Sequence, residues 1–423
     1  MSPTADLRRR AADVFPGGVN SPVRAFRSVD AEPVILAEGD GARVRDVDGR
    51  TYLDYIGGWG PAILGHGHPA IVEAIRSQAG LGFALGLTGP LEIELAERIR
   101  IRMPSMEQLR FTSSGTEAVM SAVRLARAAT GRDLIVKFAG GYHGHSDGLL
   151  VEAGSGLATQ AIPGSAGVPS AAAATTIVLP YNDRSAAAFA FAGYPGRIAA
   201  VIVEPVAANV GVIPPQPGFL EDLRDLTALD GSLLIFDEVI TGFRVAAGGA
   251  QGRYGVRPDI TTLGKIIGGG MPIGAYGGRR ELMALIAPEG PVYQAGTLAG
   301  HAISMAAGIA TLDALDDGAY ARLEATGERL ADGLVAAAAD TGRTVAIGRA
   351  GSLLTVFFAP SAPFDAEAAL AGDRAAFGRF FRTMLGAGVL LPPSPFEAWF
   401  ISLAHDDAVV DETLGAARQA FAA

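Results

Sequence analysis

Ile198-Ala-Ala-Val-Ile-Val-Glu204 and Ser232-Leu-Leu-Ile-Phe-Asp237 decide the fold. Both are continuous apolar runs, the pattern of strands buried on both faces of a parallel sheet. Residues 218–229 supply a crossover helix between them, so the core is α/β. Helix and strand alternate outward from this unit, starting near Pro69. Helical spacing covers 70–78, 91–102 and 117–130, and strands are expected over 109–112 and 134–138. Upstream, residues 5–15 read as a helix and 16–22 as a Gly/Pro loop. The alternating stretch 41–49 then ends in Asp48-Gly49 before Thr51-Tyr-Leu-Asp-Tyr55, a β-hairpin signature. Beyond about Leu312 come a long Ala-rich helix (320–341), strands within 344–358, another helix, and a final strand and helix. The expected division is an N-terminal segment 1–63, a large domain 64–312 and a C-terminal α+β domain 313–423. Residues 140–176 are rich in Gly, Ala, Ser and Pro and lack a period, which marks a disordered or functional loop, often a lid.

The composition excludes several function classes. The 423 residues carry a net charge of −10, no cysteine, and 49% hydrophobic against 18% charged residues. Such a chain can bury a sizeable core. Its acidic balance argues against nucleic acid or an anionic membrane as the main partner. Without cysteine there are no disulfides, thiolate nucleophiles or Cys-based metal sites. Arg8-Arg-Arg10 is not followed by an apolar h-region, and no apolar run approaches the ~20 residues of a membrane span. A soluble cytoplasmic protein is expected.

The chain contains only two lysines, Lys137 and Lys265; every other basic side chain, histidine aside, is arginine. Lysine is irreplaceable where an amine must lose its proton near neutral pH and form a Schiff base. Lys265 lies in Asp259-Ile-Thr-Thr-Leu-Gly-Lys265-Ile-Ile-Gly-Gly-Gly270, after a β-branched run and before three glycines, and reads as a reactive amine on a tight turn. Lys137, inside a strand-like run, reads as a chance survivor.

Two further motifs flank it in sequence. Phe111-Thr-Ser-Ser-Gly-Thr-Glu-Ala118 is a strand followed by small hydroxyl residues and a helix opening at Glu117. Ser114, Gly115 and Thr116 there suit a phosphate at a helix N-terminus; plain N-capping is the equally simple alternative. Asp237 closes a buried strand, where an α/β sheet places its ligand crevice, and could hold a proton on a heterocyclic nitrogen or bind a metal. Phosphate cradle, strand-end carboxylate and lysine, in that order, are the parts that bind pyridoxal phosphate (PLP), whose protonated ring acts as an electron sink. Gly141-Tyr142-His143-Gly144-His145-Ser146-Asp147 offers His143, His145 and Asp147 as metal ligands with His66 and His68 as a second pair. The favoured reading has no metal, with Tyr142 stacked on a flat cofactor ring. Arg24 with Ser21 suits a substrate carboxylate, or is a surface arginine. Trp59 and the segment around Glu397 and Trp399 are core or active-site wall, Glu397 possibly solvated.

These residues resemble the class III aminotransferase family of PLP fold type I, and within it the glutamate-1-semialdehyde 2,1-aminomutase family, nearly end to end. The matching segments include 15–26 (Phe-Pro-Gly-Gly-Val-Asn-Ser-Pro-Val-Arg-Ala-Phe), 58–61, 114–118, 142–147, 203–206, 236–239, 262–265 and 292–297. The resemblance implies a mainly parallel central sheet flanked by helices, and a homodimer with active sites at the subunit interface. It implies Lys265 as the Schiff-base and proton-shuttle lysine, Asp237 as the pyridinium partner and Tyr142 as the ring-stacking residue. Ser114, Gly115 and Thr116 would hold the phosphate, with Thr297 entering from the other subunit and Val239 in the cofactor-binding set. Ser21 and Arg24 would bind the substrate carboxylate, and Trp59, Asn209 and Glu397 would line the pocket. Residues of roughly 146–170 match a gating loop. The implied reaction starts from the pyridoxamine phosphate (PMP) form, passes amine to glutamate 1-semialdehyde to give 4,5-diaminovalerate, and takes back the other amine to release 5-aminolevulinate. The chain departs from the pattern at Phe83-Ala-Leu-Gly-Leu-Thr-Gly-Pro90, Ala208, Gly300-His301-Ala302 and Pro395. A class III aminotransferase acting on a β- or ω-amino acid with a keto acid acceptor is the alternative.

Overall fold

Three sheets organise residues 3–151 and 164–423, the residues described in this computed structural model. β1 (Leu36–Asp40), β2 (Arg43–Asp46) and β3 (Thr51–Asp54) form an antiparallel meander, with the expected turn between β2 and β3. The central sheet contains β4 (Gln108–Thr112), β5 (Leu134–Phe138), β6 (Thr176–Leu179), β7 (Ile198–Val203), β8 (Leu233–Asp237), β9 (Ile260–Gly264) and β10 (Gly274–Gly278). Its order is β4-β10-β9-β8-β7-β5-β6. Only β10 runs against the others, pairing antiparallel with both β4 and β9.

Alternation along the strands sorts side chains between two apolar layers. In β8, Leu234 and Phe236 join the layer containing Phe219, Leu220 and Leu223 of the crossover helix Phe219–Asp230. Leu233 and Ile235 join the opposite layer, with Ala118, Ala122 and Leu125 of helix Gly115–Thr130. These helical positions recur at three- and four-residue spacing, one face of an α-helix. Burying a Phe or Leu completely contributes about 1.5–3 kcal/mol, so both faces of the sheet are strongly specified. The pattern of the two apolar runs therefore held.

The chain ends fold together. β13 (Val389–Leu390) adds in parallel to β3, while β11 (Ala346–Ala350), β12 (Leu353–Phe357) and β14 (Trp399–Phe400) form an antiparallel sheet. One apolar cluster joins Phe26, Tyr52 and Leu53 to Leu330, Phe380, Trp399 and Phe421. Trp399 is thus a core residue. The long helix begins at Asp317 rather than 320, because the Asp316 side chain accepts from Ala319 N and caps it. Lys137 is no chance survivor: it is fully buried in β5, and its Nζ donates to the carbonyls of Leu149 (3.2 Å) and Val151 (3.1 Å). Of the expected gating loop, residues 152–163 lie outside the described residues.

Candidate active site

The carboxyl edge of the parallel strands gathers the expected chemistry. Glu204 follows β7, Asp237 ends β8, Lys265 follows β9, Tyr142 and His143 follow β5, and Ser113 to Thr116 follow β4. A cleft of about 380 Å³ there is lined by Ser114, Gly115, Thr116, Tyr142, Glu204, Asn209, Asp237, Val239 and Lys265. Of these, all but Glu204 were expected from sequence, and the rest of the lining, such as Ser113, Gly144 and Met271, was not.

Asp237 is 5% exposed and held from three sides. His143 Nδ1 lies 2.7 Å from Oδ2, so a proton on that nitrogen is donated to the carboxylate. Val239 N (3.1 Å) and Thr262 Oγ1 (3.2 Å) donate to Oδ1. A carboxylate held this way keeps one orientation and cannot rotate away from a ligand.

Lys265 has φ +49°, a left-handed conformation that costs a non-glycine residue about 1 kcal/mol or more. Its stem runs beside Gly60: a Cβ on that glycine, itself at φ +119°, would come within 2.9 Å of Lys265 Cδ. Burial pushes the Lys265 amine below its ordinary pKa, and Arg244 pushes it the same way; Asp237, Glu204 and Glu397 oppose them, and burial wins. Among the described residues the amine makes no hydrogen bond.

One end of the cleft is the start of helix Gly115–Thr130, two residues earlier than expected. Ser114 is its N-cap: the hydroxyl accepts from Glu117 N and donates to Glu117 Oε2, both at 3.2 Å. The N-capping reading of Ser114 is therefore realised. The serine hydroxyl caps, while Gly115 and Thr116, whose N–H groups have no intrahelical partner, face the cleft. The backbone is tight here. A Cβ on Gly144 (φ +78°) would stand 2.6 Å from Thr116 Oγ1.

Burial, then the nearby Asp237 charge, raises the pKa of Tyr142. Its N–H donates to Glu204 Oε1 at 2.7 Å. Glu204 also accepts from Ala208 N (3.0 Å) and Asn209 Nδ2 (2.9 Å), and burial raises its pKa. Sequence reading overlooked Glu204 as a site residue, although it closes an apolar strand just as Asp237 does.

The remaining expected residues lie outside this cleft's lining. Glu397, thought possibly solvated, is 8% exposed and lies close enough to act on the Lys265 amine. Trp59 sits half-buried at φ +70° in the turn Gly57–Trp59, next to Gly60. Ser21 precedes the turn Pro22–Ala25, on which Arg24 is exposed. Thr297 is exposed and lines a second recess with Phe83, Leu85, Leu87, Leu298 and His301. The histidines do not converge on a metal. His143 turns to Asp237 and His66 Nε2 to Asp54 (2.7 Å), and no cluster of three metal-ligating side chains occurs among the described residues.

The class-III aminotransferase profile matches residues 26–412. The chain belongs to the class III aminotransferases. Glutamate-1-semialdehyde 2,1-aminomutase of Thermomicrobium roseum is 55% identical to this class III chain over 423 residues, all of it and 98% of the relative. Among solved structures, an omega-transaminase from Sphaerobacter thermophilus matches with TM-score 0.92 and 35% identity, over 99% of this chain and 97% of that one. A glutamate-1-semialdehyde-aminomutase from Pseudomonas aeruginosa PAO1 in complex with PMP matches with TM-score 0.86 and 29% identity, over 99% and 93%.

The cleft fits the phosphopyridine cofactor of this class. It offers unpaired helix N–H groups at Gly115 and Thr116, an oriented carboxylate at Asp237, a phenol ring at Tyr142 and a desolvated amine at Lys265. Glycine at 144 keeps the helix end of the cleft open.

Proposed function

We propose that this chain converts glutamate 1-semialdehyde to 5-aminolevulinate by intramolecular amino transfer with PLP and PMP as the cofactor pair. The observation that carries the reading is that Lys265, its pKa lowered by burial, and the oriented Asp237 carboxylate line one cleft. The 55% identity to an aminomutase selects this reaction within the class.

When bound, the cofactor supplies an electron sink and a temporary store for the amino group. Asp237, held by His143, Val239 N and Thr262, holds a proton on the ring nitrogen. Gly115 and Thr116 bind phosphate through backbone N–H groups, with Ser114 fixing the helix start and Val239 packed against Gly115. Tyr142 covers the ring. Lys265 would hold the cofactor and carry protons at the reacting carbon; its lowered pKa keeps a neutral fraction available to accept them. Arg24 and Ser21 bind the substrate carboxylate, and Trp59, Asn209 and Glu397 wall the pocket. Thr297, exposed on one protomer, completes the phosphate site of a second, which makes the working unit a homodimer. The division into 1–63, 64–312 and 313–423 and a cytoplasmic setting belong to the same proposal.

The second reading, a transaminase acting on a β- or ω-amino acid, is favoured by one observation: the altered 83–90 loop lines the recess that contains Thr297. One assay separates the two. The protein in its pyridoxamine form is given glutamate 1-semialdehyde and no other amine donor or acceptor. Many turnovers to 5-aminolevulinate are expected. A single stoichiometric turnover, or none until a second amino or keto acid is added, assigns the transaminase.

A further inference from the structure

Arg244 is 2% exposed, yet no carboxylate pairs with it among the described residues. Its guanidinium donates instead to neutral oxygens: Ser352 Oγ (3.2 Å) and the Ile401 carbonyl (2.8 Å) through Nη1, and the Gly60 carbonyl through Nη2. Nε is buried without a partner. The cation also lies 5.5 Å from the centroid of the Phe400 ring. Burying an unpaired charge is costly, and here burial pushes the arginine pKa down to about 9. A neutral side chain could fill the space at lower cost, so the charge itself calls for a reason.

The contacts supply one. Gly60 closes the turn carrying Trp59, and its backbone packs against the Lys265 stem. A Cβ on Gly60 would also meet Phe400 Cε1 at 3.0 Å, so the same wall includes Phe400, the ring beneath the guanidinium. Arg244 thus grips the two backbone segments that shape the Lys265 slot, Gly57–Gly60 and Phe400–Ile401. We propose that Arg244 is a positioning residue for Lys265: a buried guanidinium without a carboxylate that clamps these segments around the lysine's stem and brings a positive charge to the wall of its slot. This rests on reading Lys265 as the reactive amine.

The groups facing that amine come from every element around it. Asp237 at the end of β8, Glu204 after β7 and Glu397 before β14 favour its protonated form, and Tyr142 lines the same cleft. Arg244 opposes all three acids. It adds to the burial that outweighs the carboxylates and keeps the amine from its charged state.

The test uses the full chain prepared without cofactor, so that it reads the amine rather than turnover. Trace labelling with acetic anhydride over a pH series gives the midpoint for Lys265 by peptide mass spectrometry; the only other lysine is buried. Arg244→Gln is expected to raise the midpoint by about one pH unit, the scale of one removed neighbouring charge. Arg244→Lys, which keeps the charge, is expected to leave it near the parent value. An unchanged midpoint in Arg244→Gln, or an equal rise in both variants, overturns the electrostatic half of the proposal. If Arg244→Gln does not fold, Arg244→Lys still decides the clamp. One ammonium cannot reproduce the fork to Gly60, Ile401 and Ser352, so amide exchange over 57–60 must quicken, and unaltered exchange there overturns the proposal. Failure of the aminomutase assay would leave both readouts standing, so the two proposals can fail separately.

Discussion

Lys137 and Lys265 share a residue type and a sheet but stand in opposite environments. Lys137 sits inside β5, fully buried, with its amine donating to two carbonyls of the segment that follows Asp147. Lys265 stands one residue past β9, at positive φ, against three carboxylates and one arginine, with no hydrogen bond to its amine among the described residues. One amine is tied into structure, and the other is held ready for chemistry. Rarity in the sequence marks both, and only position relative to the strand end separates them.

The largest effect that sharpens this contrast is on turnover. Lys265→Ala is expected to fold and to lose at least about 10³-fold in kcat, because it removes both the attachment point and the proton carrier. Near-normal kcat would end the distinction. Asp237→Asn is expected to lower kcat by about 10²–10⁴-fold, with the fold intact by circular dichroism; retained activity would show that the oriented carboxylate does not govern the cofactor ring. Lys137→Met should behave in the other way. Two carbonyls, that of buried Leu149 and that of half-buried Val151, lose a donor, so stability falls by about 1–3 kcal/mol in urea titration. Its kcat per folded molecule should remain far above that of Lys265→Ala. A collapse of kcat with unchanged stability would break the comparison.

The smallest effect is a pH dependence. The folded-state pKa of Lys265 is lowered, so the unfolded chain binds the proton more tightly. Stability of the cofactor-free protein therefore rises with pH from the folded pKa toward the ordinary value of 10.5. Below that window the buried charge carries its full cost. Lys265→Met lacks this charge, so it should melt above the parent at neutral pH, and the gap should close as pH approaches 10.5. A gap independent of pH would mean that the amine is not desolvated.

Much of this site was legible because its parts obey local rules. Apolar runs ending in Asp237, the small residues around Gly115 and a lysine before three glycines are each written in a few consecutive residues. What stayed hidden depends on contacts between distant segments. His143 carried only a disfavoured metal reading in the sequence, and its partner Asp237, 94 residues away, is met only when β5 and β8 come together. Arg244 gave no signal at all, since its partners Ser352 and Ile401 are 108 and 157 residues distant. Glu204 is different. It closes β7 as Asp237 closes β8, and the same rule applied twice would have found it.

The most direct test of the two-lysine account is reductive fixation. Protein carrying PLP is treated with borohydride, digested, and its peptides are analysed by mass spectrometry. The account predicts one phosphopyridoxyl group per chain, on the peptide containing Lys265, and none on the peptide containing Lys137. A label on Lys137, or loss of the cofactor with neither lysine modified, would contradict it.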